Sequence, residues 1–259
     1  MKTFVFSLQS EWLKTRHSAA SWLVICGGFF IPLIMIVVQT FYPDQIAPSL
    51  LAPHYWENLF LKSWESMAFL LLPVGVILAT SLITQIEYKN NTWKQVLATP
   101  QSLLCVFLAK YTAVLILLLQ FFVLFTVGFV ISGYLPTLLN GRFDFPTEAF
   151  PWYKVLKQSG CFFLTALPIV AIQYLVSLRF RNFLVSIGFG LAMVVVSIFV
   201  LQWKYGYLVP FSYTSKHYMS ITDRPMKPGD EYIYILSLIY FILVTIASYI
   251  IFIRRKDRS

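Results

Sequence analysis

The hydrophobic pattern of this chain is dominated by long unbroken apolar runs rather than by alternation or by a one-sided helical stripe. Six stretches are long enough to cross a hydrocarbon core about 30 Å thick, which takes roughly 20 residues of helix. They are residues 22–41, 67–86, 111–134, 161–178, 183–202 and 232–253, and none contains Asp, Glu, Lys, Arg or His. The runs lack the polar/apolar alternation of period two that a membrane barrel requires. The pattern therefore predicts an all-α membrane protein with six transmembrane helices in one domain, residues 1–259. The third helix is expected to start earlier, near Leu103, with Lys110 snorkelling to the interface.

The polar segments between the runs carry the remaining information. Residues 1–18 place Phe4, Leu8 and Trp12 four apart with Val5 beside them, while Gln9, Lys14 and Arg16 are polar. This pattern predicts an amphipathic helix lying in the interface plane. About twenty polar or amphipathic residues precede the first run and no small-residue cleavage site follows it, so no cleavable signal is expected. In the connection after the second run, Thr92 and Gln95 have the form of a capping box, which starts a short helix at Trp93. Pro100 ends it, because the residue before a proline resists helical geometry. Trp93, Val96 and Leu97 share one face of that helix. Two readings of the face stand side by side: a docking peg for a partner, or a helix resting on lipid headgroups. The basic tail from Arg254 to Arg258 reads as a stop-transfer cluster facing anionic lipid.

Charge fixes the expected orientation. The chain is 58% hydrophobic and only 12% charged, yet its formal net charge is +9. With the N-terminus inside, the inner segments hold twelve cations and three acids (Glu11, Glu87 and Asp257), and the outer loops hold eight of each. The whole basic excess falls on one side, which is positive-inside topology with both termini in the cytoplasm. That placement excludes a nucleic-acid footprint. Cys26, Cys105 and Cys161 occur singly, and His17, His54 and His217 are isolated, so neither a disulfide framework nor a metal site is expected. Uncharged spans argue against an ion-coupled pump or a voltage sensor. No G-x-x-x-x-G-K-[ST] loop and no hydrolase motif is present, so the energy for any uphill movement is expected from another polypeptide. Among the polar residues inside the spans, Thr80, Ser81 and Thr84 in the second and Ser186 and Ser197 in the fifth are candidates for lining a path. Thr80 and Thr84 share a face at i, i+4. Against this stands the ordinary habit of buried Ser and Thr of bonding to carbonyls in their own helix.

At Glu87–Lys110 the sequence resembles the type-2 ABC exporter permease family. There an acid closes span two, followed by a polar stretch, a Thr, a short apolar helix, a Thr-Pro and a Lys entering span three. Here these are Glu87, Asn90–Asn91, Thr92, Trp93 with Val96 and Leu97, Thr99–Pro100 and Lys110. Glu11-Trp12-Leu13-Lys14 before the first span and Val209-Pro210-Phe211-Ser212 after the fifth are similar to the family as well. The resemblance implies the permease subunit of an ATP-driven exporter in the bacterial inner membrane, working with a second permease copy or a related permease. ATP would bind to a separate cytoplasmic ABC ATPase, and this chain would hold no cofactor and no metal. Glu87, Thr92, Trp93, Lys94, Val96 and Leu97 would form the ATPase-coupling segment. Small permeases of this kind export antimicrobial peptides, lipids or other amphiphiles. The stretch from Trp203 to Glu231 departs from the family pattern, showing no short re-entrant hairpin. The competing function class is a non-transporting membrane scaffold whose Trp93 helix recruits a cytosolic protein.

Overall fold

The computed structural model describes residues 2–42, 54–89, 101–140, 148–180, 182–222, 224 and 226–256. Among them there is no strand. Helix α1 (Lys2–Arg16) is followed by α2 (Ala19–Phe41), α3 (Tyr55–Ser66), a π-helical turn (Met67–Leu71) and α4 (Leu72–Lys89). Then come α5 (Leu103–Asn140), α6 (Trp152–Arg179), α7 (Phe183–Val200), the short α8 (Tyr213–Ile221) and α9 (Ile233–Lys256). Six continuous stretches are long and apolar enough to cross a membrane, α3 and α4 counting as one through the π turn. Six crossings return the C-terminus to the N-terminal end of the bundle, called the terminal end below.

The helices outrun the apolar runs that announce them. The second span begins at Tyr55 rather than at residue 67, because α3 buries Trp56, Leu59, Phe60 and Trp64 against α5 and α6. Trp64 stacks on Phe162 at 3.8 Å between ring centroids and meets Phe125 edge-on at 4.9 Å. Aromatic pairing of this kind holds a helix that continues past the hydrocarbon core. Lone polar residues such as Glu57 and Glu65 interrupt the hydropathy of α3 without interrupting its helix.

Pro73 shapes the middle of this span. It has no N–H to donate, and a proline ring crowds the carbonyl four residues earlier, so the helix cannot run straight through. It widens into the π turn just before Pro73. In that register the Leu72 N–H reaches the Met67 carbonyl five residues back. Pro73 has no N–H for the Ala68 carbonyl, and the Thr214 hydroxyl at 2.8 Å and the Ser215 hydroxyl at 3.3 Å take it instead. This is how α8 is fastened. Tyr218 donates to the Leu61 carbonyl at 3.1 Å, and Arg224 pairs with Glu65 at 2.9 Å. The stretch after α7 is therefore not a solvated loop. It folds as two 3₁₀ turns and α8, with Tyr213 to Tyr218 all buried. Its polarity is met inside the protein: Lys216 is 2.6 Å from Asp230, both side chains nearly inaccessible.

Close helix contacts rest on small residues, as is usual where lipid offers no hydrophobic drive. A Cβ on Gly28 would meet Leu124 at 2.9 Å, so α2 lies tightly on α5. One on Gly190 would meet Ile77 and Gln173 at 2.6 and 2.8 Å, so α7 lies tightly on α4 and α6. Gly75 and Gly188, by contrast, have nothing within 4 Å of an added Cβ.

Candidate functional site

The terminal end of the bundle is organised around charges that the runs themselves lack. Glu87 lies near the end of α4, Lys110 two turns into α5, and Glu11 and Lys14 on α1. Lys110 Nζ is 2.7 Å from Glu11 Oε2 and 2.6 Å from Glu87 Oε1. Lys14 Nζ is 2.6 Å from Glu11 Oε1 and 3.3 Å from Glu87 Oε1. Glu87 is fully buried and the Lys110 side chain is 2% exposed. Lys110 therefore does not snorkel to the surface as its position in the sequence suggests. Two acids and two lysines cancel, which is the condition for holding charge in a poorly polar interior. Burial alone would raise the Glu11 carboxyl, but Lys110 and Lys14 outweigh it and hold the pKa below the ordinary value. Burial would lower Lys14, and Glu11 with Glu87 raises it instead. Glu87 Oε2 has no partner among the described residues.

The cluster explains an inversion in α1. The stripe this helix turns toward the bundle is Ser7, Glu11 and Thr15, all buried, flanked by half-buried Phe4, Leu8 and Trp12. Val5, Phe6 and Leu13 face outward. Ser7 donates to Gln101 Oε1 at 2.7 Å and lies 3.4 Å from Cys105 Sγ, so polar partners on α5 and just before it attract the polar side of α1.

A second polar group lies deeper, between α4, α6 and α7. Gln173 Nε2 donates to Ser81 Oγ at 2.8 Å and to the Ser186 carbonyl and hydroxyl, both at 2.9 Å. Ser177 and Ser186 hydroxyls are 2.6 Å apart. Of the residues picked out as path candidates, Ser81 and Ser186 are thus brought together, across a helix seam. Thr84 bonds to the Thr80 and Ser81 carbonyls, and Ser197 to the Val194 carbonyl, each within its own helix.

Thr80 lies apart from these. Its hydroxyl has no partner among the described residues, and it lines one end of an apolar cavity of about 300 Å³ between α2, the π turn, α4 and α5. Cys26, Phe30, Gly75 and Phe121 lie along the same cavity. Of the expected coupling residues, only Glu87 is described, as the buried centre of the ion cluster. Thr92, Trp93, Lys94, Val96 and Leu97 lie outside the described residues.

Several buried polar pairings escaped sequence reasoning: Glu11 with Lys110, Gln173 with Ser81 and Ser186, and Lys216 with Asp230. A usable signal existed for part of the ion cluster. Glu87 closes the second apolar run and Lys110 precedes the third, so those two are candidates for meeting each other, and Glu11 is the third party that this signal does not reach.

No curated protein and no solved structure matches the chain at a significant level. A sequence family described as ABC-2 family transporter protein matches residues 7–197, spanning α1 through nearly all of α7. With six membrane-crossing helices and a match over most of its length, the chain belongs to the ABC-2 transporter family, as a multi-pass permease of the kind that works with an ABC ATPase.

Proposed function

We propose that this permease forms the path of an ATP-driven exporter for an amphiphilic substrate, with both termini in the cytoplasm. The observation that carries the reading is the pairing of an apolar cavity inside the spans with a fully neutralised charge cluster at the terminal end. The cavity suits a hydrocarbon-bearing substrate. The cluster gives α1, α4 and α5 a common anchor beside residues 90–100, where an ATPase would push. On this reading Trp93, Val96 and Leu97 fill a pocket of the ATPase, Thr92 caps their helix, and Lys94 and Glu87 set its orientation. Of the five path candidates Thr80 marks the side of α4 along which substrate moves, while Ser81 and Ser186 hold α4 to α7 and Thr84 and Ser197 bond within their own helices. The unit functions as a pair of permeases in a bacterial inner membrane, with ATP held only by the partner subunits.

The test is expression with a cognate ABC ATPase, co-purification, and reconstitution with a fluorescent single-chain amphiphile. ATP should drive movement of the amphiphile away from the ATPase side, while the permease alone hydrolyses no ATP. A chain that binds no ABC ATPase, or moves the amphiphile on an ion gradient without one, overturns the proposal. Orientation is tested separately by thiol labelling of intact cells. Cysteines placed at positions 48, 142 and 223 should react from outside, and those at 94 and 256 should not.

A further inference from the structure

The apolar cavity is specific enough in shape to name what it holds. Eighteen residues line it, and apart from the Thr80 hydroxyl and the Cys26 thiol every side chain is hydrocarbon or thioether, or absent at Gly27 and Gly75. A charged headgroup finds no partner there. Along the π turn and α4 the lining runs from Met67 to Thr80, about 20 Å at 1.5 Å per residue. A volume of about 300 Å³ over that length gives a mean width of about 4 Å, under half the ~10 Å diameter of an α-helix. A helix of another protein does not fit, whereas one extended hydrocarbon chain does. At ~30 Å³ for a water-sized group, the space takes on the order of ten methylenes.

Its position in the bundle agrees. Thr80 stands seven residues from Glu87 on the same helix, about 10 Å along the axis. Val114 stands one turn beyond Lys110 on α5, so this end of the cavity faces the ion cluster. The lip is formed by Cys26 and Phe30 on α2, both exposed on the outside of the bundle. A chain can therefore slide in sideways between α2 and α4, with its headgroup left at the terminal-end interface.

We infer that this crevice is a binding site for the single alkyl chain of an amphiphile, about ten carbons of it, taken from the membrane half nearest the chain termini. In a bilayer the hydrophobic effect gives such a site no advantage, since lipid tails are equally apolar. Selection comes from shape: the crevice is one chain wide, so a single-chain amphiphile fills it without leaving a second chain crowded against α2. The inference deepens the exporter reading by naming the apolar part of its cargo. Occupancy is measured on the permease alone, so its failure is separate from failure to bind or use an ATPase.

Cys26 reports on the lip directly. In the full chain carrying Cys105→Ser and Cys161→Ser, Cys26 is the sole thiol. The protein in phosphatidylcholine vesicles is alkylated with N-ethylmaleimide, with and without dodecylphosphocholine below its solubilising concentration, and with the hexyl analogue as the short-chain control. The dodecyl probe at ten times its dissociation constant should slow alkylation about tenfold, as simple occupancy requires, and the hexyl probe should protect far less. Gly75→Phe places a ring in the open space beside α4 and should abolish protection. Gly188→Phe, equally unobstructed but outside the crevice, should preserve it. Should Gly75→Phe fail to fold, Gly27→Leu fills the crevice from α2, where an added Cβ meets Phe121 at an ordinary 3.6 Å. Equal alkylation rates with and without the dodecyl probe overturn the inference. So does protection that survives the filled crevice, which puts the chain on the outer surface of α2. A Cys26 already unreactive in plain vesicles overturns it too, since bilayer lipid or a second copy then occupies the lip.

Discussion

Replacing Lys110 with methionine is the sharpest test of the terminal-end geometry. The ammonium sits between Glu11 Oε2 at 2.7 Å and Glu87 Oε1 at 2.6 Å, and both carboxylates are at least nine-tenths buried. Methionine matches the length of the side chain and removes only the charge and its donors. Two acids then face one lysine, Lys14, which is one-third exposed and reaches Glu87 only at 3.3 Å. Breaking a buried pair in this way costs about 3–5 kcal/mol. Lys14→Met removes a partner that water can partly replace, and should cost less than about 1 kcal/mol. Glu87→Gln added to Lys110→Met should recover part of the loss, giving a coupling energy of about 1–3 kcal/mol. The assay is reversible unfolding in mixed detergent micelles, followed by helical circular dichroism, with the parent chain, the three single variants Lys110→Met, Lys14→Met and Glu87→Gln, and the double variant at matched concentration. If Lys110→Met unfolds within about 0.5 kcal/mol of the parent chain, or if the double variant shows no coupling, the cluster does not hold α1 to α4 and α5. The pH dependence gives an independent check. Glu11 is depressed, so its contribution is present above the ordinary value of 4.5 and is lost as pH falls through its lower folded value. Lys14 is raised, so its contribution is present below the ordinary value of 10.5 and is lost as pH rises through its higher folded value.

Three further outcomes are expected. His217 is buried with Nδ1 on the Tyr234 hydroxyl and its ring edge-on to Phe162, and burial lowers its pKa to about 4. Charging it opposes folding, so stability should fall as pH drops from about 6.5 toward 4. His217→Gln should show a shallower fall in the same unfolding assay, and identical slopes would place the pH dependence elsewhere. Gly133→Ala drives a methyl into the Trp56 indole and should cost about 1–3 kcal/mol by overpacking, whereas Gly75→Ala should be tolerated; equal stability of the two would refute the packing. Trp93→Ala should weaken ATPase association by about 2 kcal/mol or more, roughly thirtyfold, measured by co-purification at matched expression. Full binding and transport by that variant would make the segment a headgroup anchor.

Much of the architecture was legible because hydrocarbon imposes a length. Six runs free of charge announced six crossings, and the third began at Leu103 as its sequence suggested. What the runs could not give was where the helices stop. Helix α3 starts twelve residues before the apolar run, because Trp56 and Trp64 find aromatic partners on α5 and α6, and no local property of Tyr55–Ser66 records that. The Pro73 break was readable, but its consequence was not. The freed Ala68 carbonyl is met by Thr214 and Ser215, nearly 150 positions away, and that pairing packs a stretch whose polar sequence does not announce an element.

The misread residues share one physical cause. Periodicity says which side chains lie on a common face, and Ser7, Glu11 and Thr15 do, as do Phe4, Leu8 and Trp12. It does not say which face is inside. For a helix on a water-soluble protein that question answers itself, since polar atoms lose by leaving water. At a membrane protein's end the outside is lipid or headgroup and the inside holds whatever polar partners other helices bring. There the polar stripe of α1 gains more from Lys110 and Gln101 than from the surroundings it leaves, and the apolar Phe6 and Leu13 lose little by facing outward. The same inversion places Gln173 against Ser81 and Ser186, and Lys216 against Asp230. A single polar residue in an apolar run is therefore better read as half of a pair than as a lining group. On that rule Thr80 is the exception to pursue, since its hydroxyl alone among the five path candidates has neither a second helix nor its own backbone to satisfy it.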